Sequence, residues 1–181
     1  MQKEEAFSIV DHNDLVLYPV YNKEDLHKSG KFHRAIHLFI EGFGRIFVLQ
    51  RKAAGTENSG KWSSAVSGHV RHLETYEEAA IRETKEELGL DINHLDLVYM
   101  LKLRPDKETN NEFIVLYTYL MDQDKEHIEI NNTKDKEIDE LIMTPLKDLI
   151  VDIDKNANDY SPAFLKLFKS WLMFEKLGGK K

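Results

Sequence analysis

Between Ala35 and Gln50 the chain runs apolar, polar, apolar: Ala35 to Ile40 is β-rich, Glu41 to Gly44 supplies a turn, and Arg45 to Gln50 is apolar again. That pattern predicts a hairpin. An extended stretch follows Trp62, from Ser63 to Val70, and then a helix from about Tyr76 to Leu88. Thr75 with Glu78 three residues on forms a capping box, and Gly89 can take the left-handed conformation that ends the helix. Leu95 to Leu103 and Phe113 to Met121 read as strands, the second apolar on both faces and so central in a sheet. A shorter strand is predicted over Glu140 to Met143. Thr144 before Pro145 and Ser161 before Pro162 each set an N-cap ahead of a proline, predicting a short helix and a longer one from about Pro162 to Leu177, ended by Gly178 and Gly179. Strands and helices alternating in this way indicate an α/β fold, a mixed sheet with helices on its faces. No internal repeat or Pro/Gly-rich seam divides the 181 residues, so one domain over 1–181 is expected.

Composition narrows the chemistry. There is no cysteine, so disulfides, thiolate nucleophiles and thiolate metal sites are excluded, and any metal must be held by oxygen or imidazole. The net charge of −7 argues against nucleic-acid binding. No run of about 18 apolar residues suggests a membrane span, and Met1 to Val10 carries no apolar signal core, so a cytoplasmic protein is expected. Oligomeric state stays open, a homodimer among the options.

The acidic residues are not all alike. Gly68 to Leu90 reads GHVRHLETYEEAAIRETKEELGL, and on a helix Glu83, Glu86 and Glu87 stand at i, i+3 and i+4, so three carboxylates leave one face within about one turn. Their repulsion costs an isolated helix a few tenths of a kcal/mol per pair, and a divalent cation reverses its sign. Hard oxygen ligands suit Mg²⁺ or Mn²⁺, which neutralises charge on diphosphate oxygens and acidifies an attacking water. Taken singly, a Glu-Glu pair is an ordinary solvated helix face.

The segment resembles the Nudix box of the Nudix hydrolases, its fixed positions filled by Gly68, Glu74, Arg82, Glu83, Glu86, Glu87, Gly89 and Leu90. Thr84 departs, standing where an aliphatic residue is usual. Seven such letters match by chance in about one window in 10⁸. The resemblance implies a Nudix fold, with the box spanning 68–90, and a small-molecule diphosphate substrate. It also implies one to three Mg²⁺ (or Mn²⁺) ions held by Glu83, Glu86, Glu87 and the Gly68 carbonyl, Gly68 being expected in a loop before the helix. Arg82 either pairs with Glu86 at i+4 or orients the box glutamates with Glu74 as partner, and both can hold together.

FHRAIHLFI at 32 to 40, LQRKAAG at 49 to 55, KWSSAVSGH at 61 to 69, NNEF at 110 to 113 and YSP at 160 to 162 resemble type I isopentenyl-diphosphate isomerases, a branch of the same superfamily. The isomerase cysteine of its Cys-Gly-His motif is replaced, the chain reading Ser67-Gly68-His69, and its glutamate pair appears as Asn110 and Glu112. Glu83 and Glu86, by contrast, belong to the hydrolytic set. The resemblance therefore points to an isomerase-like Nudix hydrolase, with isomerase activity or a silent diphosphate-binding protein as alternatives. Catalytic candidates are Glu83, Arg82 and, as base, Glu86 or Glu112; Glu112 reads equally well as a strand-end acid. Arg51 matches an isomerase phosphate-binding arginine, and Lys61 and Arg71 are further candidates for substrate phosphate. His27, His33 and His69 are candidates for a second metal site or are plain surface or core histidines. Trp62, Tyr76, Tyr117 and Phe164 either line a substrate pocket or pack in the core.

Overall fold

Strand β3 (His33–Gly42) organises the molecule, because eight of its ten residues are buried and it must be covered on both faces. Residues 5–56, 58–121 and 138–177 are described by the computed structural model. Along β3, Ile36, Leu38 and Ile40 join one core cluster while Ala35 and Phe39 join another on the opposite face, as the period of two in a strand requires. The expected hairpin forms with β4 (Ile46–Lys52), which pairs antiparallel through Ile40↔Val48 and Gly42↔Ile46. On its other edge β3 runs parallel to β8 (Glu112–Leu120) in register from His33↔Glu112 to Glu41↔Leu120, so β8 is central as its all-apolar run predicts.

Strand β3 loses β4 before its N-terminal half, and β6 (Val66–His69) takes the vacated edge, with Ala35↔His69 and Ile36↔Gly68. β5 (Trp62–Ser64) stays with β4, so the sheet splays between β5 and β6. β9 (Ile138–Pro145) pairs with β4 and β7 (Val98–Leu103) with β8, completing a seven-stranded mixed sheet. Helix α2 (Tyr76–Leu88) covers the Ile36 face, and α3 (Leu146–Asn156) and α4 (Pro162–Lys176) cover the Phe39 face. The sheet is therefore sandwiched between helices. Thr84, the exception in the box, is fully buried and donates to the Ala80 carbonyl at 2.7 Å, which lets it fill an apolar position.

Several local expectations change. A further hairpin, β1 (Phe7–Val10) with β2 (Val16–Val20), and the short α1 (Lys23–Lys28) precede β3; the sequence pattern alone did not suggest them. Gly68 sits within β6 and not in a loop, since the box begins on a paired strand. Residues 94–96 form a 3₁₀ turn capped by Asn93, so β7 starts at Val98 and not Leu95. Pro145 remains paired to Ile46 and is itself the N-cap of α3, so Thr144 caps nothing. The Ser161 cap holds, its hydroxyl accepting from Phe164 N at 3.3 Å. Gly178 and Gly179 lie outside the described residues. No helix among those described is long and apolar enough to cross a membrane.

Candidate functional site

Helix α2 reaches the sheet closely because the side chains it buries there are small: Ala79 and Ala80 are fully buried. Its polar edge consequently lies over β6 and β4. The capping box is complete, Thr75 accepting from Glu78 N at 3.1 Å and Glu78 from Thr75 N at 2.8 Å, and Gly89 ends the helix at φ 70. These ends set the rotation that aims Glu83, Glu86 and Glu87 at the sheet.

The three carboxylates line one cavity of about 180 Å³ together with Gly68, His69 and Arg71. Glu83 lies so close over Gly68 that a Cβ there would fall 2.2 Å from its Cδ, so no other residue fits without moving it. Glu87 is 3% exposed and sits deepest, accepting from Gln50 Nε2 and from Ser67 N, each at 3.2 Å, with Lys52 Nζ 3.6 Å from its other oxygen. Glu86, with 45% of its side chain exposed, faces the opening beside Arg71 at 3.3 Å. Burial pushes the Glu83 carboxyl up, Arg82 opposes that, and neighbouring Glu86 adds to it.

Arg82 contacts Glu74 as well as the box glutamates. Its Nε and Nη2 donate to the two oxygens of Glu74 at 2.7 and 2.9 Å, a bidentate pair. Its Nη1 donates to Glu83 at 2.6 Å and Glu86 at 3.0 Å, and Nη2 also reaches the His69 carbonyl at 3.1 Å. Burial works against its charge, yet Glu74 and Glu83 keep the guanidinium protonated throughout. Glu74 in turn accepts from Arg71 N at 2.8 Å, tying the loop before α2 to the same arginine.

On the other side of β6, His27, His33 and His69 converge, with one ligand atom from each within 4.8 Å of the others. Glu112 joins them, its Oε1 accepting from His69 Nε2 at 3.0 Å and lying 3.3 Å from His33 Nε2. Burial would raise the Glu112 carboxyl, but the His33 and His69 contacts hold it well below the usual range. His27 is driven down to about 4 by burial and then by the two neighbouring imidazoles. His33 Nδ1 meets the Lys31 carbonyl at 3.0 Å, which can only accept, so its Nε2 faces a carboxylate either as a cation or across a position where a cation belongs. Asn110, in place of a second acid, contacts His27 Nδ1 at 3.1 Å. Both sets suit metals, the carboxylates a hard ion and the imidazoles a softer one.

Among the other candidates, Arg71 lines the carboxylate cavity and also pairs with Glu5. Neither Arg51 nor Lys61 lines the carboxylate cavity; Arg51 pairs with Glu140 at 2.6 Å and Asp139 at 3.0 Å and lies over Trp62. Strand alternation explains this, since Gln50 and Lys52 share the side that reaches Glu87 while Arg51 points the other way. Gln50 and Lys52 were legible as the i, i+2 neighbours across Arg51, but nothing in the sequence linked them to α2. Tyr117 and Phe164 are core residues, and Trp62 and Tyr76 pack at the edges of the two clusters. None of the four lines the cavities described.

A larger cavity of about 480 Å³ adjoins the first, the two sharing Lys23, Ser67, Gly68 and His69. Its mouth carries Lys23 and Lys107, and its inner wall comes from β3, β5 and the start of α4.

A family model described as NUDIX domain matches residues 31–167. An Aromatoleum aromaticum protein named isopentenyl-diphosphate Delta-isomerase 1 is 38% identical over 88 residues, 48% of this chain and 49% of that protein. A second from that organism, isopentenyl-diphosphate Delta-isomerase 2, is 27% identical over 169 residues, covering 88% and 82%. An uncharacterized Nudix hydrolase of Nostoc is 28% identical over 128 residues, covering 70% and 76%. The chain spans about half the length of the first two curated relatives it matches. Among solved structures, a Deinococcus radiodurans protein superposes with a TM-score of 0.68 at 20% identity, covering 87% of this chain and 92% of that one. The NUDIX domain of Shewanella oneidensis NrtR, complexed with ADP ribose, gives 0.57 at 13% identity over 79% and 86%. At such identities these structures establish the fold alone.

Proposed function

The chain belongs to the Nudix family, and from that premise we propose that it hydrolyses a diphosphate linkage in a small molecule with the help of Mg²⁺ or Mn²⁺. The observation that carries this reading is the convergence of Glu83, Glu86 and Glu87 on one cavity, clamped by Arg82 over Gly68. Three carboxylates there, one of them destabilised by burial and by its neighbour, form a donor set that fits a hard divalent ion. Glu83, Glu86, Glu87 and the Gly68 carbonyl would hold it. When bound, such an ion neutralises charge on the phosphate oxygens and acidifies water.

The protein's own groups do the rest. Arg82 keeps Glu83 and Glu86 in place, so little reorganisation is needed when substrate arrives. Glu86, the most open of the three, takes the proton of the attacking water as its oxygen bonds to phosphorus and the bridging P–O bond breaks. Arg71, at the same opening, offsets charge on the leaving phosphate. Glu112 is the weaker candidate for base because two histidines already engage its carboxylate. With Glu112, His27, His33 and His69 would hold a second ion. Arg34 binds Asp14 of the β1–β2 turn at 2.6 Å, which supports reading that hairpin as part of one domain with the rest.

One observation favours the isomerase alternative: the histidine cluster with Glu112 persists, and several relatives carry the isomerase name. Ser67 and Asn110 oppose it, since the first lacks a thiol and the second cannot exchange a proton as an acid does. Phosphate or pyrophosphate release with Mg²⁺ from nucleoside diphosphate derivatives and prenyl diphosphates tests the proposal. Glu86→Gln and Glu87→Gln should each lower turnover by about a hundredfold or more. Undiminished turnover in both would remove the assignment, and proton exchange into isopentenyl diphosphate without phosphate release would establish the isomerase.

A further inference from the structure

His37 lies on β3 between the buried apolar Ala35 and Phe39, on the face that α4 covers. Isolated in a core, an imidazole is costly to desolvate, so its surroundings should account for it. Only half of it is accounted for. Its Nδ1 bonds the Ser64 hydroxyl at 2.7 Å, and no other hydrogen bond to the ring is found among the described residues. The residue lines the 480 Å³ cavity, whose size suits a small-molecule ligand.

The wall beside it is built of hydroxyls and small side chains, with Lys52 and Glu112 lining the same cavity. Ser63 and Ser161, whose hydroxyls lie 3.3 Å apart, line the same cavity, and Ala35 and Ala163 leave the room between them open. Burial foremost drives the His37 imidazole down to about 4, Lys52 and His69 acting the same way against Glu112, so it meets a ligand as a neutral ring. Whichever tautomer Ser64 selects, the other ring nitrogen remains a donor or an acceptor. Ser67, Gly68 and His69 border both cavities, so a diphosphate at the carboxylates would extend its organic half toward this wall.

We propose that His37 is a specificity residue, its ring nitrogen Nε2 hydrogen-bonding a hydroxyl or carbonyl on the organic half of the diphosphate, so that a polar group is accepted and a hydrocarbon chain disfavoured. A prenyl tail placed there would strip water from His37 and Ser63 and return no hydrogen bond, which is the form of discrimination that polar sites make best. This deepens the hydrolase reading and rests on it for the position of the diphosphate.

Binding separates the two ideas where turnover cannot. Calorimetry with Mg²⁺ would use two methylene-bridged diphosphates, one carrying a sugar and one a five-carbon prenyl chain, against the parent, His37→Leu and His37→Gln. The parent should bind the sugar compound more tightly; His37→Leu should weaken that binding about tenfold and leave the prenyl compound unchanged or tighter; His37→Gln, whose amide nitrogen can stand near Nε2, should recover much of the loss. Prenyl binding as tight as sugar binding in the parent, no binding of either, or an equal effect of His37→Leu on both would overturn the inference. Should His37→Leu not fold, Ala163→Leu fills the same cavity from α4 and should weaken sugar binding while Mg²⁺ uptake persists; unchanged sugar binding would count against the proposal. The hydrolase reading fails separately, if the parent binds the sugar compound yet does not cleave its oxygen-bridged counterpart.

Discussion

Gly68 and Glu83 show how tightly single residues are constrained in this site. An added methyl at position 68 has nowhere to go but into the Glu83 carboxylate, 2.2 Å away. Gly68→Ala should therefore displace Glu83 and weaken Mg²⁺ uptake, measured by calorimetry, by about tenfold or more, the range seen when the support of a metal ligand is disturbed. Uptake equal to the parent's would mean that Glu83 is not a ligand. His37 makes a second prediction, of pH dependence. Its ordinary value near 6.5 falls to about 4 on folding, so between those values the unfolded chain binds the extra proton and the folded one does not. Stability from this residue is whole above pH 6.5 and is lost as pH falls toward 4. Urea denaturation at pH 7.5 and pH 4.5 should show a smaller acid loss in His37→Leu than in the parent, the difference amounting to a few kcal/mol at most.

At the scale of elements, α2 is the piece whose limits carry function. Its capping box and its left-handed Gly89 hold both ends, and thirteen residues between them place Glu83 and Glu87 one turn apart over β6 and β4. Thr75→Ala should cost about 1 kcal/mol in denaturant unfolding. These limits were legible because capping is local: Thr75, Glu78 and Gly89 lie within a turn of what they satisfy. Local chemistry also misled. Thr144-Pro145 reads as a cap and first helical residue, but pairing with Ile46 keeps Pro145 extended and delays α3 to Leu146. The β1–β2 hairpin escaped notice because Val16, Leu17 and Tyr18 are exposed on β2, so its strands lack the half-buried alternation by which strands are read.

For the molecule as a whole, an aromatic layer fills the core between the sheet and α4. Trp171 is 1% exposed and lies 5.0 Å from Phe47 and 6.0 Å from Phe39, ring centre to ring centre. Trp171→Ala should cost about 3 to 5 kcal/mol, read as a lower denaturation midpoint, because the gap it leaves is walled by a rigid sheet. What the sequence determined by itself was whatever spacing along one element settles: the α/β alternation, the span of α2, and the common face of Glu83, Glu86 and Glu87. Tertiary structure alone decided which residues meet across elements. It turned Arg51 outward to β9 and Lys52 inward to Glu87, gathered His27, His33, His69 and Glu112 from four segments, and opened a cavity onto His37. The physical reason is that helical and strand periods fix a side chain's direction only relative to its own axis, whereas its partners depend on how axes are packed, and packing is set by the volume and polarity of many residues at once.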